Sequence, residues 1–205
     1  MSPSPAAFSA LLLAGGRSTR MGRDKALLPH PVSGLPLLAH QAALLRSLPG
    51  CAELLLSAPA DRGYALVGPL ADARLVPDAA PDCGPLAGLA AGLAVASTSR
   101  LLVLAVDLPF MTADVLGALI SGSSPRGGLA PRHDDGVFEP LCSVYPVFPD
   151  SRAAVASALE RRQLSLQRLL AAACAAGWMR PVPIPPAAPS PFANWNTPDG
   201  LSSRE

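Results

Sequence analysis

The chain carries almost no surplus charge. Its 205 residues include 16 Lys+Arg and 15 Asp+Glu, a formal net charge of +1. That balance excludes a nucleic-acid binder working through a broad basic face and a polybasic membrane anchor. Charged residues are scarce altogether, 15% of the total, while half the residues are hydrophobic. A chain of this make-up buries a sizeable core, which excludes global disorder. No Cys-x-x-Cys pair occurs, and Cys51, Cys83, Cys142 and Cys174 lie at no metal-ligand spacing from His30, His40 or His133. A zinc site is therefore not expected, and free thiols in a reducing, cytoplasmic setting are. No apolar run reaches the roughly 18–20 residues of a membrane span. Phe8 to Ala14 resembles a signal-peptide core, but Met1 to Ala7 supplies no Lys or Arg ahead of it and reads instead as a flexible lead.

What is present alternates between short apolar runs and segments of helical period. Ser9 to Leu13 reads as a buried strand ending in a glycine-rich turn. Leu37, Leu38, Leu44, Leu45 and Leu48 share one helical face, with Gln41 the polar exception, and Pro49-Gly50 stops that helix. Glu53 to Ser57 and Arg74 to Val76 read as strands. Pro85 opens a helix with Leu86, Leu89, Ala90 and Leu93 inward. Leu101 to Val106 is apolar on both faces, as in a parallel sheet. Thr112 caps a helix that turns Val115, Leu116, Leu119 and Ile120 inward. Gly127 to Pro131 and Leu141 to Pro146 read as strands, Asp150 to Leu159 and Ser165 to Cys174 as helices. Proline is in excess at 24 residues, against a usual share of roughly 5%. Six prolines fall within 181–191, which predicts an extended surface connection there. The pattern predicts one domain over residues 1–205, of α/β class with a mostly parallel sheet. Ligands of such sheets bind in the loops beyond the strands' carboxyl ends, so the loops after Leu13, Ser57, Val76 and Val106 are where chemistry is expected.

The first of these loops runs Leu13-Ala14-Gly15-Gly16-Arg17-Ser18-Thr19-Arg20-Met21-Gly22-Arg23-Asp24-Lys25. Gly15 and Gly16 let the backbone turn sharply and present bare N–H groups to an anion. Four cations within residues 17–25 suit a triphosphate; a flexible basic loop is the alternative. The loop is neither a Walker A motif nor GxGxxG. Asp107 closes an otherwise apolar strand, where a carboxylate serves as helix cap, ion-pair partner or metal ligand.

The stretch LAGGRSTRMGRDKALL resembles the signature of the MobA-like nucleotidyltransferases that build molybdenum cofactor dinucleotides. Agreement continues along nearly the whole chain, in Asp78, in Cys83-Gly84-Pro85-Leu86-Ala87-Gly88-Leu89, in Val106-Asp107-Leu108-Pro109-Phe110-Met111, in Glu139-Pro140-Leu141, in Ser165-Leu166 and in Asn194-Trp195-Asn196-Thr197-Pro198. The Gly15-Gly16 pair resembles the guanylyltransferase branch, where the cytidylyltransferases usually show Ala-Gly. Two positions depart from the family pattern: Val106 stands where Cys is frequent, and Ser57 where Asn is frequent.

The resemblance implies a three-layer α/β/α, Rossmann-like nucleotidyltransferase fold with a mixed, mostly parallel sheet. It implies transfer of GMP from GTP to molybdenum-molybdopterin with release of pyrophosphate, assisted by Mg²⁺. It further implies catalytic roles for Lys25, Asp107 and Arg20, with Asp107 as the metal ligand. Leu13, Ala14, Gly15, Gly16, Lys25, Ser57, Asp78, Gly84 and Asp107 would hold the nucleotide, and Asn194 and Asn196 the second substrate. Transient contact with proteins that deliver or accept the cofactor goes with this, and neither nucleic acid nor membrane is an expected partner. The rival expectations are a cytidylyltransferase or other small nucleotidyltransferase, and a nucleotide- or pterin-binding protein without turnover.

Overall fold

The computed structural model describes residues 7–15, 24–59, 62–78, 80, 82–184 and 190–193. Seven strands form one sheet: β1 Phe8–Leu13, β2 Cys51–Ser57, β3 Arg74–Val76, β4 Arg100–Ala105, β5 Gly128–Arg132, β6 Cys142–Pro146 and β7 Met179–Pro183. Their spatial order is β3-β2-β1-β4-β6-β5-β7. The first four are parallel. β6 runs antiparallel to both β4 and β5, and β7 is parallel to β5. Five α-helices accompany the sheet: α1 Leu37–Ser47, α2 Pro85–Val95, α3 Ala113–Gly122, α4 Pro149–Glu160 and α5 Leu166–Ala175.

The strict alternation of strand side chains sorts the core into two layers. Ala10, Leu12, Leu54, Leu56, Leu102 and Leu104 face one side and pack with Leu37, Ala42 and Leu45 of α1 and Leu116 and Leu119 of α3. Leu11, Leu13, Leu55, Leu101 and Val103 face the other, against Leu86, Leu89 and Leu93 of α2, Val155 of α4 and Leu169 and Leu170 of α5. Helices on both faces explain why β1 and β4 are buried at every position. α2 is buried nearly all round because the sheet lies on one side and α4 on the other. Gly92 lets it approach: a Cβ there would come within 2.5 Å of Leu11 Cδ2. Among the described residues no helix is long and apolar enough to cross a membrane, and all four cysteines are free thiols.

The element pattern follows the sequence closely. Thr112 Oγ1 accepts from the Val115 N–H at 3.4 Å, and Ser165 caps α5 by accepting from the Arg168 N–H. The proline-rich tail differs from expectation. Its first part is not a surface connection but the end of strand β7, with Pro181 and Pro183 inside it. β7 is an edge strand whose one partner is β5, so prolines whose missing N–H would point away from β5 cost the ladder nothing. The expected flexible lead, apart from Ala7, and residues 185–189 lie outside the described residues.

The strand order turns between β1 and β4. From β1 the chain passes through α1 to β2 on one side; from β4 it passes through α3 to β5 and β6 on the other. The loops diverge and leave a crevice beyond the two carboxyl ends.

Two glycine substitutions test this packing. A Cβ at Gly128 would overlap the Val144 carbonyl oxygen, Met179 Sδ and Pro146 Cδ, whereas one at Gly117 in α3 meets nothing within 4 Å. Gly128→Ala is expected to cost about 1–3 kcal/mol, and Gly117→Ala to gain up to about 1 kcal/mol, by urea denaturation. Equal effects would contradict the packing described.

Candidate active site

A cleft of about 900 Å³ occupies the crevice, and its walls come from the loops that the strand pattern singles out. Leu13, Ala14 and Gly15 contribute from the end of β1, Ser57 and Pro59 from β2, Pro77 and Asp78 from β3, and Ala105, Val106 and Asp107 from β4. Gly84, Pro85 and Gly88 line it from the start of α2, and Lys25 from the far end of the first loop. Of the residues expected at the site, Leu13, Ala14, Gly15, Lys25, Ser57, Asp78, Gly84 and Asp107 thus converge on one cavity. Gly16, Arg20, Asn194 and Asn196 lie outside the described residues.

Lys25 is the only lysine of the chain. It opens a single 3-10 turn, Lys25–Leu27, whose N-cap is Asp24. One carboxylate oxygen of Asp24 accepts from the Ala26 N–H at 3.1 Å. The other accepts from Arg62 Nη1 at 2.9 Å and from the Tyr64 hydroxyl at 2.7 Å. The turn that bears Lys25 is thereby tied to the loop after β2. Arg62 and Tyr64 carry no motif in the sequence, and only the rule that loops beyond strand ends hold the chemistry points toward them.

Asp107 lies two residues past the end of β4. The Val106 N–H still donates to the Leu13 carbonyl at 3.1 Å, so β1 and β4 stay paired up to the carboxylate. Burial pushes the Asp107 carboxyl above its ordinary value, and the positive charge of Lys25 pulls the other way. The two residues most expected to carry chemistry are therefore electrostatically coupled.

Asp78 is held by Ser57, whose hydroxyl donates to Asp78 Oδ1 at 2.7 Å. Asp78 Oδ2 stands 3.7 Å from where a Cβ on Gly15 would sit. The short hydroxyl of Ser57 is accordingly committed to orienting a carboxylate at the cleft wall. Gly88 permits close approach of α2 to the strand ends. A Cβ there would come within 2.5 Å of Ser57 Oγ and 2.7 Å of Leu13 Cδ2, so its bareness makes room for the strand ends. Gly84, the N-cap residue of α2, has φ +60° and ψ −153°, a backbone shape that favours glycine.

Among the described residues the cleft lining holds four carboxylates, Asp24, Asp78, Asp82 and Asp107, and two cations, Lys25 and Arg62. No group of three or more His, Cys, Asp or Glu among the described residues is arranged to hold a metal by itself. Such a donor set does not suit a metal cage. It does suit Mg²⁺ arriving with a nucleotide, since that ion takes one or two carboxylates and fills its remaining positions with phosphate oxygens and water.

A mixed α/β/α sheet whose switch-point crevice collects a glycine turn, a lysine and a strand-end aspartate defines a nucleotidyltransferase-type site. The chain belongs to the MobA-like NTP transferase domain family, whose model matches residues 10–176. A molybdenum cofactor guanylyltransferase of Rhodobacter capsulatus is 32% identical over 97% of this chain and 95% of its own. One from Pseudomonas putida is 36% identical over 78% and 82%. The crystal structure of molybdopterin-guanine dinucleotide biosynthesis protein A from Archaeoglobus fulgidus superposes with a TM-score of 0.67 at 20% identity, covering 93% of each chain; at that identity it bears on the fold alone.

Asp107→Asn tests the electrostatics apart from any activity. The folded-state pKa is raised above the unfolded value, so an ionised Asp107 lowers stability and a protonated one does not. Without nucleotide or divalent ion, the variant is expected to melt above wild type at neutral pH. The gap should close as pH falls toward about 4, where the carboxyl protonates in both states. A variant melting below wild type at neutral pH would contradict the burial cost.

Proposed function

We propose that this protein is a molybdenum cofactor guanylyltransferase: it transfers GMP from GTP to the terminal phosphate of molybdenum-molybdopterin and releases pyrophosphate. The observation that carries the proposal is that Lys25 and Asp107 line one cleft of about 900 Å³ and influence each other electrostatically. The names and coverage of the relatives support the choice of substrates.

The nucleophile is a phosphate oxygen, already ionised at neutral pH, so no general base is required. The barrier lies in bringing two polyanions together and in the charge that grows on the α-phosphate and the leaving pyrophosphate. Lys25, fixed by the Asp24–Arg62–Tyr64 anchor, offsets that charge. Asp107 holds Mg²⁺, which when bound acts as a Lewis acid on phosphate oxygens. The described lining is richer in carboxylates than in cations, and a nucleotide-borne cation and the arginines of the first loop, Arg20 among them, supply the further positive charge a triphosphate needs. Bare backbone at Ala14 and Gly15 lies against the nucleotide. Asp78, oriented by Ser57, accepts from the guanine N1–H and 2-amino group; cytosine and adenine present a ring-nitrogen acceptor there and are rejected. Asn194 and Asn196 are assigned to the pterin side or the metal, adding donors and acceptors without charge.

The test is a panel of nucleoside triphosphates with Mg²⁺ and molybdopterin-loaded protein, read as pyrophosphate release. GTP is expected to turn over fastest. Preference for CTP would overturn the guanylyl assignment, and no turnover with any nucleotide would favour a binding protein. Lys25→Ala is expected to lower kcat about 10²–10³-fold without lowering the melting temperature.

A further inference from the structure

Gln41 interrupts the apolar face of α1, and it is completely buried there. Its Nε2 donates to the Leu108 carbonyl at 2.5 Å. Its Oε1 is buried with no hydrogen-bond partner. An orphaned buried acceptor is destabilising, and a leucine of similar volume would pack the same helix without one. Packing of α1 therefore does not account for a glutamine at this position. Its one hydrogen bond goes to the residue that follows Asp107.

The next carbonyl is clasped as well. His30 Nε2 bonds to the Pro109 carbonyl at 2.8 Å. His30 Nδ1 accepts from the Val32 and Ser33 N–H groups at 3.2 and 3.1 Å. Nδ1 is thus an acceptor, the ring proton sits on Nε2, and the neighbours dictate the tautomer. The ring is buried and stacks on His40 with centroids 3.6 Å apart and planes at 9°. On the near side of the carboxylate, the Val106 N–H is fastened to Leu13. The residues flanking Asp107 are thus held by three different parts of the chain.

We propose that Gln41 and His30 are positioning residues for Asp107: by clasping the Leu108 and Pro109 carbonyls they fix the turn so that the carboxylate meets a nucleotide-borne divalent ion. The inference rests on Asp107 as the metal-holding group. The fold accepts an orphaned Oε1 in α1 in exchange for that fixation. His30 extends the hold to the segment that leads from the Lys25 turn into α1, so the cation and the carboxylate are kept in one frame. Outer groups of this kind around metal-binding carboxylates carry 10–100-fold effects on metal affinity.

Gln41→Leu separates a positioning role from a structural one. The Leu108 carbonyl keeps its bond from the Met111 N–H, and the orphaned Oε1 disappears, so the metal-free variant is expected to melt at or above wild type. The readout is GTP affinity by calorimetry with and without Mn²⁺, and the gain that Mn²⁺ confers. In wild type Mn²⁺ is expected to strengthen GTP binding, and in Asp107→Asn that gain is lost. In Gln41→Leu the gain should shrink by roughly 10–100-fold while metal-free affinity stays within two-fold, to about the precision of the method. His30→Phe, which keeps a buried ring but donates nothing, should shift the gain the same way. A gain lost in Asp107→Asn but intact in Gln41→Leu overturns the inference alone. A Gln41→Leu variant that melts lower and loses both affinities equally overturns it too, since that is a structural role. A gain absent from wild type, or surviving Asp107→Asn, overturns the metal assignment and the inference with it.

Discussion

Burial resists the charge of Asp107, and the Lys25 ammonium opposes that resistance. This opposition is the central constraint of the cleft, because it sets a carboxylate and an ammonium against each other at the end of a fully buried strand. Neither group would be there without the turn in strand order between β1 and β4. The connections leave in opposite directions, the crevice between them stays unfilled by core side chains, and the last ladder bond, Val106 to Leu13, brings the carboxylate to its edge. Helices on both faces supply the low dielectric that raises the carboxyl.

Around this pair the chain solves a problem of charge. Its proposed substrates are strongly anionic, yet its balance is +1 and its one lysine is Lys25. The described cleft lining is richer in carboxylates than in cations. One of them, Asp24, is consumed as an anchor for the lysine turn. Another, Asp78, is oriented by Ser57. In the proposed reaction positive charge for the phosphates is local: the lysine, the arginines of the first loop, and an ion carried in by the nucleotide. A broad basic surface would attract other polyanions; a concentrated one selects by shape.

Much of this was legible along the chain, because much of it is local. The apolar run closing on Asp107, the glycine turn after Leu13, Pro85 at a helix start and the Thr112 and Ser165 caps each depend on neighbours a few residues away. The layering followed from the two-residue period of the strands. What stayed hidden depends on residues far apart. Arg62 meets Asp24 across 38 positions, Gln41 meets Leu108 across 67 and His30 meets Pro109 across 79. The sequence marks Gln41 as out of place on its helix without saying what it serves. β7 was missed because prolines argue against a strand unless it is known to lie at an edge, and edge status is a property of the assembled sheet. Gly88 lies at the cleft as its motif suggests, but that its bareness makes room for Ser57 and Leu13 depends on residues 31 and 75 positions away.

A chain with one lysine offers its own reporter. A brief pulse of an amine acylating reagent, read by peptide mass spectrometry, reports whether the Lys25 ammonium is covered, with the N-terminal amine as an internal control on a separate peptide. GTP with Mg²⁺ should protect Lys25 from acylation, CTP with Mg²⁺ should protect it far less, and GTP should lose most of its effect in Asp107→Asn. Labelling of Lys25 that is indifferent to GTP and Mg²⁺ would contradict a guanine nucleotide held between the lysine and the aspartate.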